Sequence, residues 1–365
     1  MSGRSHPASI PDPAPLAGPS DIAEATLRLR AGLLVAFPTE TVYGLGADAL
    51  NAEAVARVFE AKGRPSHNPL IVHVLDAATL APGLVASWPA RAATLAAAFW
   101  PGPLTIIVPR GTRVPHAVTG GGDTVALRSP DHPIARALLQ AFGGPLVGPS
   151  ANKSGHVSPT TAAHVRSEFD PSLVTVLDGG PCRVGIESTV VSVCGGRAAI
   201  LRLGSILASQ LSAVLSEEVD EPSNAQGTSP ASPTRTSQRT TLDTLDAQPP
   251  ALASPGQLAS HYAPRTPVEL APSRRALSRA EELTAAGVTC VLLALSDPAL
   301  PDAPRGTHII TMPPDSAAYA ARLYAALREA DALKHDRIII ELPDTTSPEW
   351  SAILDRLKRA SAPRE

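Results

Sequence analysis

Polar side chains crowd the ends of several apolar segments, and their types set the chemistry to look for. Pro38-Thr39-Glu40-Thr41-Val42-Tyr43-Gly44-Leu45-Gly46 leaves an apolar run with two hydroxyls, a carboxylate and a phenol, then glycines that admit close backbone approach. Lys62-Gly63-Arg64-Pro65-Ser66-His67-Asn68-Pro69-Leu70-Ile71-Val72-His73 carries two cations into a proline-bounded loop. Cations sit well at a helix C-terminus, but a fixed Lys62/Arg64 pair also suits a polyphosphate. His73 lies among Ile71, Val72 and Val74, where a histidine either packs as structure or faces a ligand. The glycine run Gly120-Gly121-Gly122 enters a strand that ends on Arg128. Those glycines serve a hairpin, or they leave room while the planar fork of Arg128 clamps a carboxylate. Gly148-Pro149-Ser150-Ala151-Asn152-Lys153-Ser154-Gly155, followed by Ser158-Pro159-Thr160-Thr161, sets small hydroxyls and an amide before a helix. Such a stretch is an elaborate cap or an anion site. Gly185-Ile186-Glu187-Ser188-Thr189-Val190-Val191 and Leu201-Arg202-Leu203-Gly204 are similar, but neither carries a reading by itself.

The standard signatures are missing. There is no G-x-x-x-x-G-K-[ST] phosphate loop, no H-E-x-x-H and no G-x-S-x-G elbow. Gly44 to Ala49 matches G-x-G-x-x-A loosely but does not join a strand directly to a helix. Cys182, Cys194 and Cys290 form no C-x-x-C pair, so they read as reduced thiols, and no metal site is expected.

Composition narrows the classes. The 365 residues carry 31 basic and 34 acidic side chains, for a net charge of −3, with 44% apolar and 18% charged residues. That describes a folded chain of two or three domains and argues against broad coating of nucleic acid. Aromatics are 3%, so Ala, Val, Leu and Ile must build the core. No apolar run approaches the roughly 18–20 residues that span a bilayer, and the first 20 residues lack the apolar stretch of a secretory signal. A cytoplasmic location is expected.

The elements that must position these clusters follow from periodicity. Residues 1–19 read as a flexible leader. Asp21 is placed to cap a helix reaching Arg30, and Leu33–Phe37 reads as a strand stopped by Pro38. Asn51 caps a helix that ends near Lys62. Leu70–Val74, Leu104–Val108, Thr124–Leu127, Leu146–Val147, Val174–Leu177, Thr189–Val193 and Ala199–Leu201 read as strands. Helices are expected over Arg91–Trp100, His132–Phe142, from Thr160 or Thr161 onward, and over Ser205–Leu215. Strands and helices mix without strict alternation, which predicts an α/β domain on a mixed sheet over 20–215. Residues 216–264 are expected as a linker, because Ser, Thr, Pro, Gln and Asp dominate most of the stretch. Beyond it, Val268–Leu270, Val288–Leu293, His308–Thr311 and Arg337–Glu341 alternate with helices at Arg274–Ala286, Ser316–Ala332 and Pro348–Arg359. That regular alternation predicts a small parallel, Rossmann-like domain over 265–365.

Taken together, the clusters resemble the YrdC-like family, the threonylcarbamoyl-AMP synthases. PTETVYGLG (38–46), KGRPSHNPLIVH (62–73), ALRSP (126–130), PSANKSG (149–155), STVV (188–191) and LRLG (201–204) stand in that family's order over about residues 20–210. The linker and the small C-terminal domain resemble its long, two-domain form. The resemblance implies a YrdC-like twisted mixed sheet flanked by helices. It implies that L-threonine, bicarbonate and ATP are joined into threonylcarbamoyl-AMP with release of pyrophosphate, for the threonylcarbamoyladenosine modification of tRNA. By the same resemblance, Lys62, Arg64, Ser150 and Asn152 form the catalytic set. Arg64, Asn68, Thr124, Ser150, Ser158, Arg202 and Tyr262 contact ATP, and Thr41, His73, Arg128, Gly148 and Ser188 contact threonine. Mg²⁺ is implied as a companion of ATP rather than in a protein cage, and a tRNA threonylcarbamoyl transferase as the downstream partner. Direct binding of tRNA is not required. The linker with His261-Tyr262-Ala263-Pro264 is expected to close over the pocket as a lid. Competing readings are an RNA-gripping module, a carbamoyl transferase with another acceptor, and a small-molecule sensor.

Overall fold

The computed structural model describes residues 16–222, 262–295 and 306–363. The expected leader up to residue 15, and the linker from 223 to 261 with His261, lie outside the described residues.

Among the described residues, nine strands form one sheet. They are β1 (Leu34–Phe37), β2 (Gly44–Asp48), β3 (Ile71–His73), β4 (Leu104–Pro109), β5 (Thr124–Arg128), β6 (Leu146–Val147), β7 (Val174–Val176), β8 (Thr189–Ser192) and β9 (Ala199–Arg202). Their order is β7-β1-β2-β6-β3-β5-β4-β8-β9. The sheet is mixed: β3 runs parallel to β5 and antiparallel to β6, while β4 runs parallel to β8. The helices are α1 (Pro19–Arg30), α2 (Ala52–Lys62), α3 (Ala90–Phe99), α4 (Pro133–Phe142), α5 (Ala162–Arg166) and α6 (Ala208–Leu215). Period-two alternation sorts the core onto both faces. Leu34 and Ala36 join Val55, Val58 and Leu95 of α2 and α3, whereas Val35 and Phe37 join Leu29 of α1 and Leu138 of α4.

Strand β2 escapes the sequence reading, because two glycines in five residues lower the apparent strand propensity. The structure supplies the reason for them: a Cβ at Gly46 would lie 2.8 Å from the Val35 carbonyl oxygen and 2.9 Å from the Phe37 ring. The expected cap of α1 also shifts. Gly18 is the N-cap, and Asp21 sits three residues in, its Oδ2 accepting from the Gly18 N–H at 2.7 Å. Asn51 caps α2 as expected, accepting from the N–H groups of Glu53 and Ala54 at 3.0 and 3.2 Å. Gly63 ends that helix in the left-handed region at φ 60, which fixes Lys62 as its last residue. Thr161, not Thr160, caps α5.

A second sheet follows: β10 (Val268–Pro272), β11 (Cys290–Leu295), β12 (Thr307–Met312) and β13 (Arg337–Leu342), all parallel, in the order β10-β13-β11-β12. Helix α7 (Ser273–Ala285) covers one face, packing on Leu292 and Ile339. Helices α8 (Ser316–Ala332) and α9 (Ser351–Ser361) cover the other, on Val291, Leu293, Ile338 and Ile340. The helix expected from Pro348 divides, with Pro348–Trp350 forming a separate 3-10 turn. Val42, Val157, Ile186 and Tyr262 belong to the same apolar cluster as α8 and α9, so the two sheets share a core.

A polar contact reinforces that seam. Arg328 of α8 donates to the Val157 carbonyl and pairs with Glu168 at 2.8 Å. Burial alone would raise the Glu168 pKa. His156, the Lys153 N–H and Arg328 outweigh it and pull the pKa from 4.5 down to about 2. A depressed carboxylate stabilises the fold above its unfolded pKa, and that contribution fades as pH falls from 4.5 toward 2. Glu168→Gln should therefore lose about 2–3 kcal/mol at neutral pH. Urea unfolding of both proteins should show the gap closing across that acid range, and a pH-independent gap would contradict the assignment.

Candidate active site

The register of three strands builds the first half of the site. His73 lies opposite Arg128 across β3 and β5, and opposite Leu146 across β3 and β6. The Gly148 N–H, just beyond β6, donates to the Ile71 carbonyl at 2.9 Å. Three strand ends thus bring His73, Arg128 and Gly148 to one place. The loop after β1 delivers Thr41. Thr39 shapes that loop, its Oγ1 accepting from the N–H groups of Thr41 and Val42 at 3.1 and 3.2 Å.

Arg128 is held from three sides. Nη1 donates to Thr41 Oγ1 at 2.8 Å, Nε to the Gly102 carbonyl at 3.3 Å, and Nη2 pairs with Glu40 Oε1 at 2.6 Å. Glu40 is in turn fixed by the Asp131 N–H at 3.1 Å. His73 is 2% exposed and packs edge-on against Phe37 at 5.4 Å between centroids. Burial and then Arg128 push its pKa well below 6.5, so its ring is neutral at physiological pH.

The second half is cationic. Arg64 donates from Nε to the Asn68 carbonyl at 3.1 Å, and from Nη2 to Asn68 Oδ1 at 2.6 Å and the Pro69 carbonyl at 2.8 Å. Arg202, at the end of β9, donates to the Ser188 carbonyl from Nε at 3.1 Å and from Nη2 at 3.0 Å. Ser188 Oγ also accepts from Arg202 at 3.1 Å and shares a hydrogen bond with Thr105 Oγ1 at 2.7 Å.

One cleft gathers most of the predicted residues: Thr41, His73, Arg128, Gly148 and Ser188 with Arg64, Ser150, Arg202 and Tyr262 all line it. Others stand behind the wall. Lys62 Nζ donates to the carbonyls of Ser150 and Asn152 at 2.6 and 2.5 Å, so the ammonium braces the loop that presents Ser150. Burial, then Arg64, lowers the Lys62 pKa well below 10.5. Asn68 orients Arg64. Asn152 donates to the carbonyls of Lys153 and His156 at 2.7 and 2.9 Å. Ser158 donates to Glu187 at 2.7 Å. Thr124 opens β5 opposite Pro109 and does not line the cleft. A larger groove of about 1060 Å³, between 153–168 and 263–335, gathers none of the predicted site residues.

Sequence reasoning passed over Glu187, Glu40, Tyr324 and Arg356. Glu187 lies within the 185–191 cluster, next to Ser188, but nothing near it in the chain pairs with it. Arg356 gave no signal, since a basic residue on an amphipathic helix usually faces water.

Residues 28–204 match the family model described as "Telomere recombination", and residues 206–362 match "Threonylcarbamoyl-AMP synthase, C-terminal domain". The threonylcarbamoyl-AMP synthase of Bacillus subtilis is 39% identical over 355 residues, covering 94% of this chain and 93% of that one. The chain belongs to the threonylcarbamoyl-AMP synthase family. The synthase of Pyrococcus abyssi is 48% identical over 189 residues, 52% of this chain and 55% of its own. A crystal structure of P. abyssi Sua5 complexed with L-threonine superposes with a TM-score of 0.80 at 35% identity, covering 93% of this chain and 94% of that one. The expected fold of these synthases, a mixed sheet with helices plus a small parallel domain, is the fold observed.

Steric fit at Gly148 gives a test. A Cβ there would lie 2.6 Å from His73 Nδ1 and 3.0 Å from the Phe37 ring. Gly148→Ala should cost about 1–3 kcal/mol in urea unfolding, as overpacked cores do. Gly196→Ala, where a Cβ meets nothing within 4 Å, should be neutral.

Proposed function

We propose that this chain joins L-threonine, bicarbonate and ATP into L-threonylcarbamoyl-AMP and pyrophosphate, acting as a nucleotidyltransferase. The observation that carries the reading is the convergence of Arg64, Arg128 and Arg202 with His73, Thr41, Ser150 and Ser188 on one cleft. Residues 20–215 are read as the catalytic domain, 216–264 as a linker and 265–365 as the second domain.

In this reading, Arg128 takes the threonine carboxylate with its planar fork, while Thr41, His73 and Ser188 address the hydroxyl and amine and Gly148 offers its backbone. A neutral His73 neither competes for the carboxylate nor repels the ammonium. The threonine amine, once deprotonated, adds to bicarbonate. Water leaves, a carbamate forms, its oxygen attacks the α-phosphorus, and pyrophosphate departs. No covalent enzyme intermediate is needed, so the protein's work is positioning and charge neutralisation. Arg64, Arg202, Ser150 and Tyr262, which line the cleft, are assigned to the nucleotide, with Asn68 and Ser158 holding Arg64 and Glu187 behind them; Thr124, which does not line the cleft, is left out of the set. Lys62 and Asn152 act by bracing the loop that carries Ser150.

Mg²⁺ is assigned to the phosphates of ATP. Glu40 and Glu187 already pair with arginines, and the described residues hold no cluster of three or more His, Cys, Asp or Glu side chains fit for a metal, so no step is routed through the ion. The product would pass to a transferase that modifies tRNA, in the cytoplasm; no described helix is long and apolar enough to cross a membrane.

Pyrophosphate release should require ATP, threonine and bicarbonate together, with the adenylate confirmed by mass spectrometry. Arg64→Ala should weaken use of ATP, and Arg128→Ala use of threonine, each at least about tenfold, because charge-assisted bonds contribute roughly 1.5–3 kcal/mol. Pyrophosphate release without threonine would contradict the proposal.

A further inference from the structure

Glu187 is the only acidic side chain among the described residues that line the cleft, and the N-terminal sheet does not hold it alone. Its Oε1 accepts from Ser158 Oγ at 2.7 Å. Its Oε2 accepts from Tyr324 Oη of α8 at 2.8 Å and from Arg356 Nε of α9 at 3.3 Å. Arg356 is 1% exposed, and its guanidinium carbon stands 5.8 Å from the Tyr262 ring centroid. The Tyr262 ring in turn lies 5.6 Å from that of Tyr324. The backbone shows the same seating. Gly185 has φ +76, and a Cβ on it would fall 2.4 Å from both the Ala320 carbonyl oxygen and the Ala321 Cα. Only glycine lets the 185–188 segment lie this close to α8. The residue after Glu187 is Ser188, whose carbonyl and hydroxyl hold Arg202.

We propose that Arg356 and Tyr324 are positioning residues for the nucleotide half of the cleft, acting directly on the Tyr262 ring and through Glu187 on Ser158 and Arg202. The C-terminal helices thereby support one wall of the ATP site from behind, an inference that rests on the assignment of ATP to that cleft. A purely structural ion pair is a poor use of such a place, because desolvating two charges is costly and apolar side chains of like volume hold a core equally well. The arrangement makes sense when the carboxylate's other contacts are the groups to be held. Glu187 is faced by Ser158 and Arg202 from the N-terminal sheet, and by Tyr324 and Arg356 from the C-terminal helices.

The test uses the full chain with Tyr324→Phe, which removes one donor and keeps the ring, together with Arg356→Lys and Arg356→Met. Pyrophosphate formation is measured with ATP and threonine varied separately, and binding of a non-hydrolysable ATP analogue by calorimetry. Tyr324→Phe should raise the ATP KM about 3–10-fold and leave the threonine KM within about twofold. Arg356→Met should raise the ATP KM more than about tenfold, and Arg356→Lys should fall between. Analogue binding should weaken in parallel. Equal changes in both KM values, or a lowered melting temperature with both KM values intact, would overturn the proposal. If Arg356→Met does not fold, Tyr324→Phe decides. A wild-type chain that binds the analogue but forms no pyrophosphate would count against the functional assignment alone, since the analogue titrations still read the positioning.

Discussion

Like charges held close in a partly buried cleft are the constraint from which the rest of the site follows. Arg64, Arg128 and Arg202 reach one space, where their repulsion and desolvation oppose folding. The protein answers largely with backbone. Carbonyls of Asn68, Pro69, Gly102 and Ser188 accept from the guanidinium groups, and Glu40 pairs with Arg128. Glu187 is the carboxylate that lines the cleft, and burial would push its pKa up, but Arg356 and Arg202 hold it down. The guanidinium groups are therefore aimed before any anion arrives, which is what electrostatic preorganisation requires.

Sheet register does the aiming. With β3 between β5 and β6, a strand histidine, a strand-end arginine and a bare backbone become neighbours, although they stand at positions 73, 128 and 148 of the chain. A one-residue slip of β3 would turn His73 to the opposite face. Lys62 solves a related problem for a loop. As the last residue of α2 it reaches two carbonyls of the 150–152 turn, so a helix end sets the position of a serine some ninety residues away.

Much of this was legible in the chain because local signals agreed with the fold. Asn51 and Gly63 bracket α2, the apolar runs at Leu104 and Thr124 became strands, and the regular alternation after residue 265 gave a parallel sheet. The motifs named the cleft because their residues cluster near strand ends. The signals failed where tertiary packing overrode propensity. Gly44–Asp48 is a strand because Phe37 covers its glycines, a fact that no window around residue 46 contains. Lys62 reads as a phosphate ligand from its charge, whereas its burial and its bonds to two carbonyls some ninety residues away leave no mark in the local sequence. Arg356 gives no local signal because its partner lies 169 residues away, in the loop before β8.

The apolar seam between the sheets has a consequence for anyone who cuts the chain. Val42, Val157 and Ile186 are covered by helices that arrive only after residue 315. A fragment ending before the second sheet would present that patch to water, together with a carboxylate stripped of its arginine. Such a fragment should self-associate or engage chaperones, and its silence in an assay would report exposed grease as much as missing chemistry. Point changes that leave the seam closed are the cleaner instrument for asking what the C-terminal sheet contributes.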